Sequence, residues 1–343
     1  MNPNGFRTTN FLKSLQNYLK TDRETADMSE YHNPVLLEES INSLITDPSG
    51  TYADVTFGGG GHSAAILSRL NGDGRLIAFD RDADAVSSCS IKDPRFTLVH
   101  NNFRFIHNYA LLYEAQHGSG SGTQGAIFDG ILADLGVSSH QFDTPDRGFS
   151  FRWEGPLDMR MNASGKRTAA DVVNGETQEN LEKVFRVWGE LPQSHRIASL
   201  IVSARTREPI TTTTALDKVL EPLTPKLAGH KWLAKVYQAL RIEVNQEMRS
   251  LEKFLEGAVR SLKDGGRLVV ITYHSLEDRM VKEFIRSGNI SGEDRKDEFG
   301  VLRVPLKAVN RKPVTPQEQE IALNTRARSA KMRVAERIME AGE

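Results

Sequence analysis

Four consecutive glycines, Gly58 to Gly61, separate an apolar run that reads as a strand (Tyr52 to Phe57) from one that reads as a helix (His62 to Leu70). A second strand, Arg75 to Asp80, follows at once. Glycines at a strand-to-helix turn let a ligand approach the backbone, because no Cβ stands in its way. Together the three segments open a βαβ unit. The alternation continues with a helix from about Asp82, a strand Phe96 to His100, a helix Phe103 to Ala115 and a strand Ile127 to Asp134. It predicts an α/β fold with a mostly parallel sheet covered by helices. His117 to Gly125, rich in Gly and Ser, reads as a flexible surface loop.

After Gln141 the alternation stops. About a hundred residues follow with helical periodicity, with candidate helices at Glu176 to Trp188, Gln193 to Arg207, Thr214 to Leu220 and Trp232 to Arg241. Strand pattern returns at Arg267 to Tyr273, after a helix from about Asn245 to Leu262 and an Asp264-Gly265-Gly266 turn. Val301 to Val309 and Ala330 to Ala335 are two further candidate strands, which could pair as an antiparallel edge. The simplest organisation is an α/β domain formed by residues 31–140 and 246–343, interrupted by an all-helical insertion at 141–245. Residues 1–30 read as a poorly ordered extension with some transit-peptide character, and Met28 is an alternative start.

Composition removes several classes. With 44 Lys and Arg against 45 Asp and Glu, the chain is no histone-like binder held by bulk charge. A single cysteine, Cys89, excludes a disulfide framework and a cysteine-based zinc cluster. No apolar run approaches the ~18 residues of a membrane span, so a reducing, cytoplasmic setting is expected. None of the nine histidines has zinc-ligand spacing, so no metal is expected.

Asp80 lies at a strand end 19 positions after Gly61, where a carboxylate can accept both hydroxyls of an adenosine ribose. Gly59-x-Gly61-x-x-Ala64 also fits a dinucleotide fingerprint, so spacing does not separate a nicotinamide cofactor from S-adenosylmethionine. The bland alternative is a loose turn with Asp80 capping the next helix. Asp134 and Gln141 flank the end of the fourth strand, where ligands of open α/β sheets lie. His274 directly follows the fifth, whereas Ser275 and Asp278 fit a helix-capping box. Phe149, Phe151 and Trp153, interleaved with Arg147, Arg152 and Arg160, could stack on an unpaired base and hold its phosphates, although core packing explains such rings equally well. His195 to Arg241 carries eight Lys and Arg against three acids, and Arg326, Arg328, Lys331, Arg333 and Arg337 form a second basic cluster.

The motifs T-F-G-G-G-G-H-S, D-L-G-V-S-S, R-G-F-S-F, P-L-D-M-R-M, H-S-L-E-D-R and R-A-R-S-A-K occur in this order, and across about Tyr31 to Arg337 the chain resembles the bacterial ribosomal RNA small subunit methyltransferase H family. The resemblance implies a Rossmann-like methyltransferase that uses S-adenosylmethionine to methylate N4 of a cytidine in the decoding region of 16S rRNA. Its partner would be the small ribosomal subunit, and the oligomeric state stays open, a homodimer included. Carried over by motif, the cofactor residues would be Gly60, Gly61, His62, Asp80, Phe103, Asp134 and Gln141. The chain departs from the family pattern at His140, Phe142, Tyr273 and Thr325, where Pro, Leu, Phe and Pro are usual, and in a short loop between Arg279 and Arg326.

Direct attack by a cytosine amino group needs orientation and a hydrogen-bond acceptor, which Asp134, Ser138 and His274 could provide. Methylation at C5 would need a cysteine adduct, and Cys89 lies in a helix away from the acceptor edge. An NAD-dependent dehydrogenase would share the glycine turn and Asp80 but leave the basic, aromatic insertion unexplained. A non-catalytic ribosome assembly factor would share the insertion.

Overall fold

After α1 (Leu37–Leu44) the chain alternates β1 (Thr51–Asp54), α2 (Gly61–Arg69), β2 (Arg75–Asp80), α3 (Ala83–Ser87), β3 (Phe96–His100), α4 (Ile106–His117) and β4 (Phe128–Asp134). There follow α5 (Ser139–Asp143), α6 (Ala169–Gly175), α7 (Gln178–Val187), α8 (Ser194–Arg205), α9 (Thr213–Leu220), α10 (Gly229–Asn245) and α11 (Glu247–Ser261). The last elements are β5 (Leu262–Thr272), α12 (Ser275–Ser287), β6 (Leu306–Ala308), α13 (Glu318–Leu323) and β7 (Lys331–Arg337). The computed structural model describes residues 34–118, 124–294, 296, 300 and 304–338. The N-terminal extension, residues 119–123 of the Gly/Ser loop and residues 301–303 of the candidate strand from Val301 lie outside the described residues.

The described strands form one sheet in the order β3-β2-β1-β4-β5-β7-β6. β1 to β5 are parallel, and β7 runs antiparallel between β5 and β6, with Val269 opposite Val334. Both faces are covered, so β4 reads Ile131-Leu132-Ala133 without polar alternation. Ile131 and Ala133 pack with Ile106 of α4 and Phe254, Leu255 and Ala258 of α11. Leu132 faces the opposite core, with Ile41 and Leu44 of α1 and Ile66 of α2. Chain order reverses direction at β1, which opens a crevice beyond the carboxyl ends of β1 and β4.

Between β4 and β5 the described residues form helices, 3-10 turns and one isolated antiparallel bridge, Pro156 with Thr212. They bury a core of their own, with Leu157, Met159, Val172, Phe185, Ile201, Leu216 and Leu240 at its centre. Among the described residues no helix is long and apolar enough to cross a membrane.

Several boundaries differ from the sequence expectation. β1 ends at Asp54 rather than Phe57, since the chain must already turn toward the glycines. β5 begins at Leu262 and takes in Asp264-Gly265-Gly266, expected as a turn, through a register shift opposite Phe128 to Gly130. Gly265 at φ 78° permits that bulge. α6 was not expected, although Thr168 and Asp171 form a capping box at its start. α3 stops at Ser87, so Cys89 lies past the helix in which it was expected.

Candidate active site

The turn after β1 has Gly58 at φ 52° and Gly60 at φ 80°, both in the left-handed region. Gly60 N donates to Phe57 O at 2.7 Å and closes the turn, and Gly61 starts α2. A Cβ on Gly61 would lie 2.3 Å from Pro34 Cγ, so any larger residue there would force Pro34 to shift. One on Gly58 would meet nothing nearer than Thr56 O at 3.9 Å, so this side of the loop is open to a ligand.

Three carboxylates stand at the ends of adjacent strands around that opening. Asp80 accepts from Gly58 N and from Asp82 N, each at 2.8 Å. It thus shapes the glycine turn and supports the next helix, whose N-cap is Asp82 itself. Burial raises the Asp80 carboxyl above its usual range, with Asp82 and Asp54 adding repulsion. Asp54 is fully buried and accepts from Ser63 Oγ at 2.6 Å. Burial pushes it up to about 6 despite that bond. Asp134 accepts from Tyr273 Oη at 2.7 Å, and its Oδ2 lies 3.8 Å from His62 Nδ1. Burial, with repulsion from Asp54 and Glu277, pushes it to about 6 against the pull of His62 and Tyr273. Burial lowers the His62 pKa, and its Nε2 has no hydrogen-bond partner.

A crowd of reluctant carboxylates suits a ligand that is both cationic and rich in hydroxyls. S-adenosylmethionine, with its sulfonium, ammonium and ribose, has that chemistry, so the donor set fits it.

The other expected residues are placed as follows. Gln141 is buried and donates from Nε2 to Asp82 Oδ2 at 2.6 Å. Its Oε1 accepts from Ser138 N, while Ser138 Oγ accepts from Gln141 N, both at 3.2 Å, so the pair forms the capping box of α5. Phe103 packs edge-on against Phe254, with centroids 5.4 Å apart, in a 3-10 turn ahead of α4. His274, and not Ser275, is the N-cap of α12, and its box partner is Glu277, not Asp278. The box register is set by the end of β5: Tyr273 N already donates to Glu277 Oε2 at 2.9 Å. Ser275 instead donates to Glu190 at 2.8 Å, and Asp278 pairs with Arg333 at 2.7 Å and Lys331 at 3.2 Å. His274 Nε2 lies 3.2 Å from Glu277 Oε1 but makes no hydrogen bond.

Glu247, His274 and Glu277 bring potential ligand atoms within 4.8 Å of one another. Both oxygens of Glu247 are already taken by Arg241, at 2.8 Å each. Burial works against the Glu277 carboxylate, but His274, Arg241 and the Tyr273 N-H outweigh it and hold Glu277 below its usual range. A guanidinium thus supplies the charge that a cation would bring.

No sequence motif marks Asp54 or Asp82 as site residues, and the sequence marks Tyr273 only as a departure from the family pattern and Arg147 only as a candidate phosphate contact. Asp54 follows the same strand-end logic as Asp80, but it was hidden by a strand drawn three residues too long. Arg147, expected from the sequence to reach RNA phosphates, does not point to solvent. It is engaged internally, with Asp82 at 2.9 Å, Asp84 at 2.7 Å and the carbonyls of Arg160 and Met161. Arg160 likewise holds Asp158 at 2.6 Å. Phe149 is buried and Phe151 packs against Tyr237, which leaves Trp153 as the exposed ring of the three.

The strand order, the antiparallel β7 and the strand-end carboxylates around a glycine turn define a Rossmann-like methyltransferase architecture. The model of the MraW methylase family matches residues 29–338, and the chain belongs to that family. It is 53% identical over 307 residues, 90% of this chain and 97% of the relative, to a Bacteroides fragilis protein named Ribosomal RNA small subunit methyltransferase H. It is 50% identical over 309 residues, 90% of this chain and 98% of the relative, to the Flavobacterium johnsoniae protein of the same name.

Proposed function

We propose that this chain transfers a methyl group from S-adenosylmethionine to N4 of a cytidine in the decoding region of 16S rRNA, acting on the small ribosomal subunit in the cytoplasm. The observation that carries the reading is the ring of strand-end carboxylates, Asp54, Asp80 and Asp134, around the open glycine turn. In this reading residues 31–140 and 246–343 bind the cofactor, and the insertion at 141–245 faces RNA.

When bound, S-adenosylmethionine supplies a methyl group on a sulfonium, open to in-line displacement. Asp80 has lone pairs left for ribose hydroxyls beyond the two backbone donors it satisfies. Gly60, Gly61 and His62 keep the helix N-terminus close to the ligand, Phe103 and Gln141 shape the walls, and positive charge in the pocket restores the ionisation that burial resists in Asp54 and Asp134. Holding the acceptor nitrogen in line can supply ~7–11 kcal/mol of the barrier. Asp134 would accept an N-H of the cytosine amino group, which helps its lone pair leave conjugation. Ser138 Oγ accepts one bond and keeps its proton to donate, and His274 Nε2, 3.2 Å from Glu277 Oε1, makes no hydrogen bond there. No thiol is required.

The test is incubation with labelled S-adenosylmethionine and small subunits that lack the modification, followed by mapping of the labelled nucleoside. N4-methylcytidine in the decoding region is expected. Label at C5 of a pyrimidine would overturn the mechanism. Subunit binding without transfer would favour an assembly factor, and nicotinamide binding in place of S-adenosylmethionine a dehydrogenase.

A further inference from the structure

Trp153 is 55% exposed, although Phe149 and Phe151, of the same parity in the same segment, are drawn into the core around Tyr237. Burying a ring of this size would contribute substantially to stability. Its display is held by the backbone. Trp153 O accepts from Thr213 Oγ1 at 2.8 Å, Gly155 N donates to the same hydroxyl at 3.1 Å, and Thr213 N donates to Gly155 O at 3.0 Å. A Cβ on Gly155 would lie 2.2 Å from Pro145 O, so the mount is also clamped from behind. The guanidinium of Arg152, the preceding residue, lies 5.9 Å from the Phe142 ring centroid, and that of Arg326 lies 4.9 Å from the same centroid. Phe142 directly follows Gln141, which is bonded to Asp82 at the edge of the cofactor crevice.

An exposed indole on a fixed backbone, one residue from an arginine that faces a phenyl ring, offers flat surfaces rather than charge. Arg326 is paired with Asp143, and Glu154 adjoins Trp153, so the patch carries about as many acids as bases. Phosphate therefore gains little here, whereas the face of a nucleobase gains from stacking on indole and guanidinium planes. From this we infer that Trp153 is a stacking post for an unpaired base of the RNA substrate, in a contact that is independent of salt. The inference deepens the proposed function and rests on its RNA substrate.

The test measures the affinity of the full chain for a single-stranded oligoribonucleotide and for small ribosomal subunits across a salt series, with Trp153→Ala and Trp153→Phe. Trp153→Ala should weaken both at least roughly tenfold at every salt concentration, with an unchanged slope of log K against log salt. Trp153→Phe should recover most of the loss, and S-adenosylmethionine affinity should stay as in the parent chain. Parent-like RNA affinity of Trp153→Ala would overturn the proposal, as would a loss that vanishes at high salt or a Trp153→Phe variant as weak as Ala. Failure of the parent chain to methylate any RNA, with Trp153 still controlling RNA affinity, would sink the methyltransferase reading and leave the stacking post standing.

Discussion

Asp80, Asp134 and Tyr273 show what single residues disclose and what they hide. The first two were legible because a polar side chain closing an apolar run is conspicuous. Tyr273 was visible only as a departure from the family pattern, because its bond to Asp134 depends on the register of β5 against β4. Asp80→Ala should reduce S-adenosylmethionine affinity about ten- to a hundredfold by calorimetry, since hydrogen bonds to a charged acceptor contribute roughly 1.5–3 kcal/mol. The groups facing Asp134 are His62 on α2, Asp54 on β1, Glu277 on α12 and Tyr273. Removing the Tyr273 hydroxyl withdraws a donor that favours the ionised carboxylate. In Tyr273→Phe the acid limb of the methyl-transfer profile, expected near pH 6, should therefore move upward while the rate at pH 8 is largely kept; an unmoved limb would detach Tyr273 from the chemistry. Asp54, raised by burial like Asp134, also ties stability to pH. Its carboxyl binds a proton more tightly folded, at about 6, than unfolded, near 3.8, so its charge opposes folding above pH 6 and the penalty fades as pH falls toward 4. Asp54→Asn should stabilise the ligand-free protein at pH 7.5 by up to about 3 kcal/mol in denaturant titrations, with the gain shrinking toward pH 4.

Among the elements, the parallel strands were plain from their continuous apolar runs, and the long helices from their periodicity. Elements placed by side-chain bonds between distant segments were not. The segment from 145 to 161 has little regular structure, yet it is fixed by Arg147, only 12% exposed, which joins Asp82 and Asp84 beside α3 to the carbonyls of Arg160 and Met161. Its partners lie more than sixty positions away on one side and about fourteen on the other, so no local pattern announced it. Arg147→Ala leaves Asp82 enclosed without its cation and should cost roughly 3–5 kcal/mol. Arg147→Lys should recover little, since an ammonium cannot replace the guanidinium fork across four acceptors. Thermal denaturation checks both; an alanine variant as stable as the parent would show that Gln141 and the Asp84 N-H suffice for Asp82.

For the molecule as a whole, the near-zero net charge hides an uneven distribution. The C-terminal basic cluster is largely spent inside the fold: Arg326 pairs with Asp143, Lys331 and Arg333 hold Asp278, and Arg337 donates to the carbonyls of Pro305 and Ile338. In the insertion, Arg241 and Arg205 are also engaged, with Glu247 and with Val173 O. Lys218, Lys226 and Lys231 are exposed, and among the described residues they make no ion pair. Two basic runs that look alike in sequence thus have different roles, because only the fold shows which cations have lost their freedom. Each free lysine that neutralises a phosphate on binding releases counterions and adds roughly 0.7–0.9 to the slope of log K against log salt. Replacing Lys218, Lys226 and Lys231 together by Ala should flatten that slope for small-subunit binding by about two and weaken binding most at low salt, with S-adenosylmethionine affinity unchanged. Arg333→Ala should leave the slope alone and lower the melting temperature, because Asp278 loses its closest partner. A triple variant with the parent slope would place the RNA on another face of the protein. A flattened slope in Arg333→Ala would mean that its ion pair opens when RNA binds.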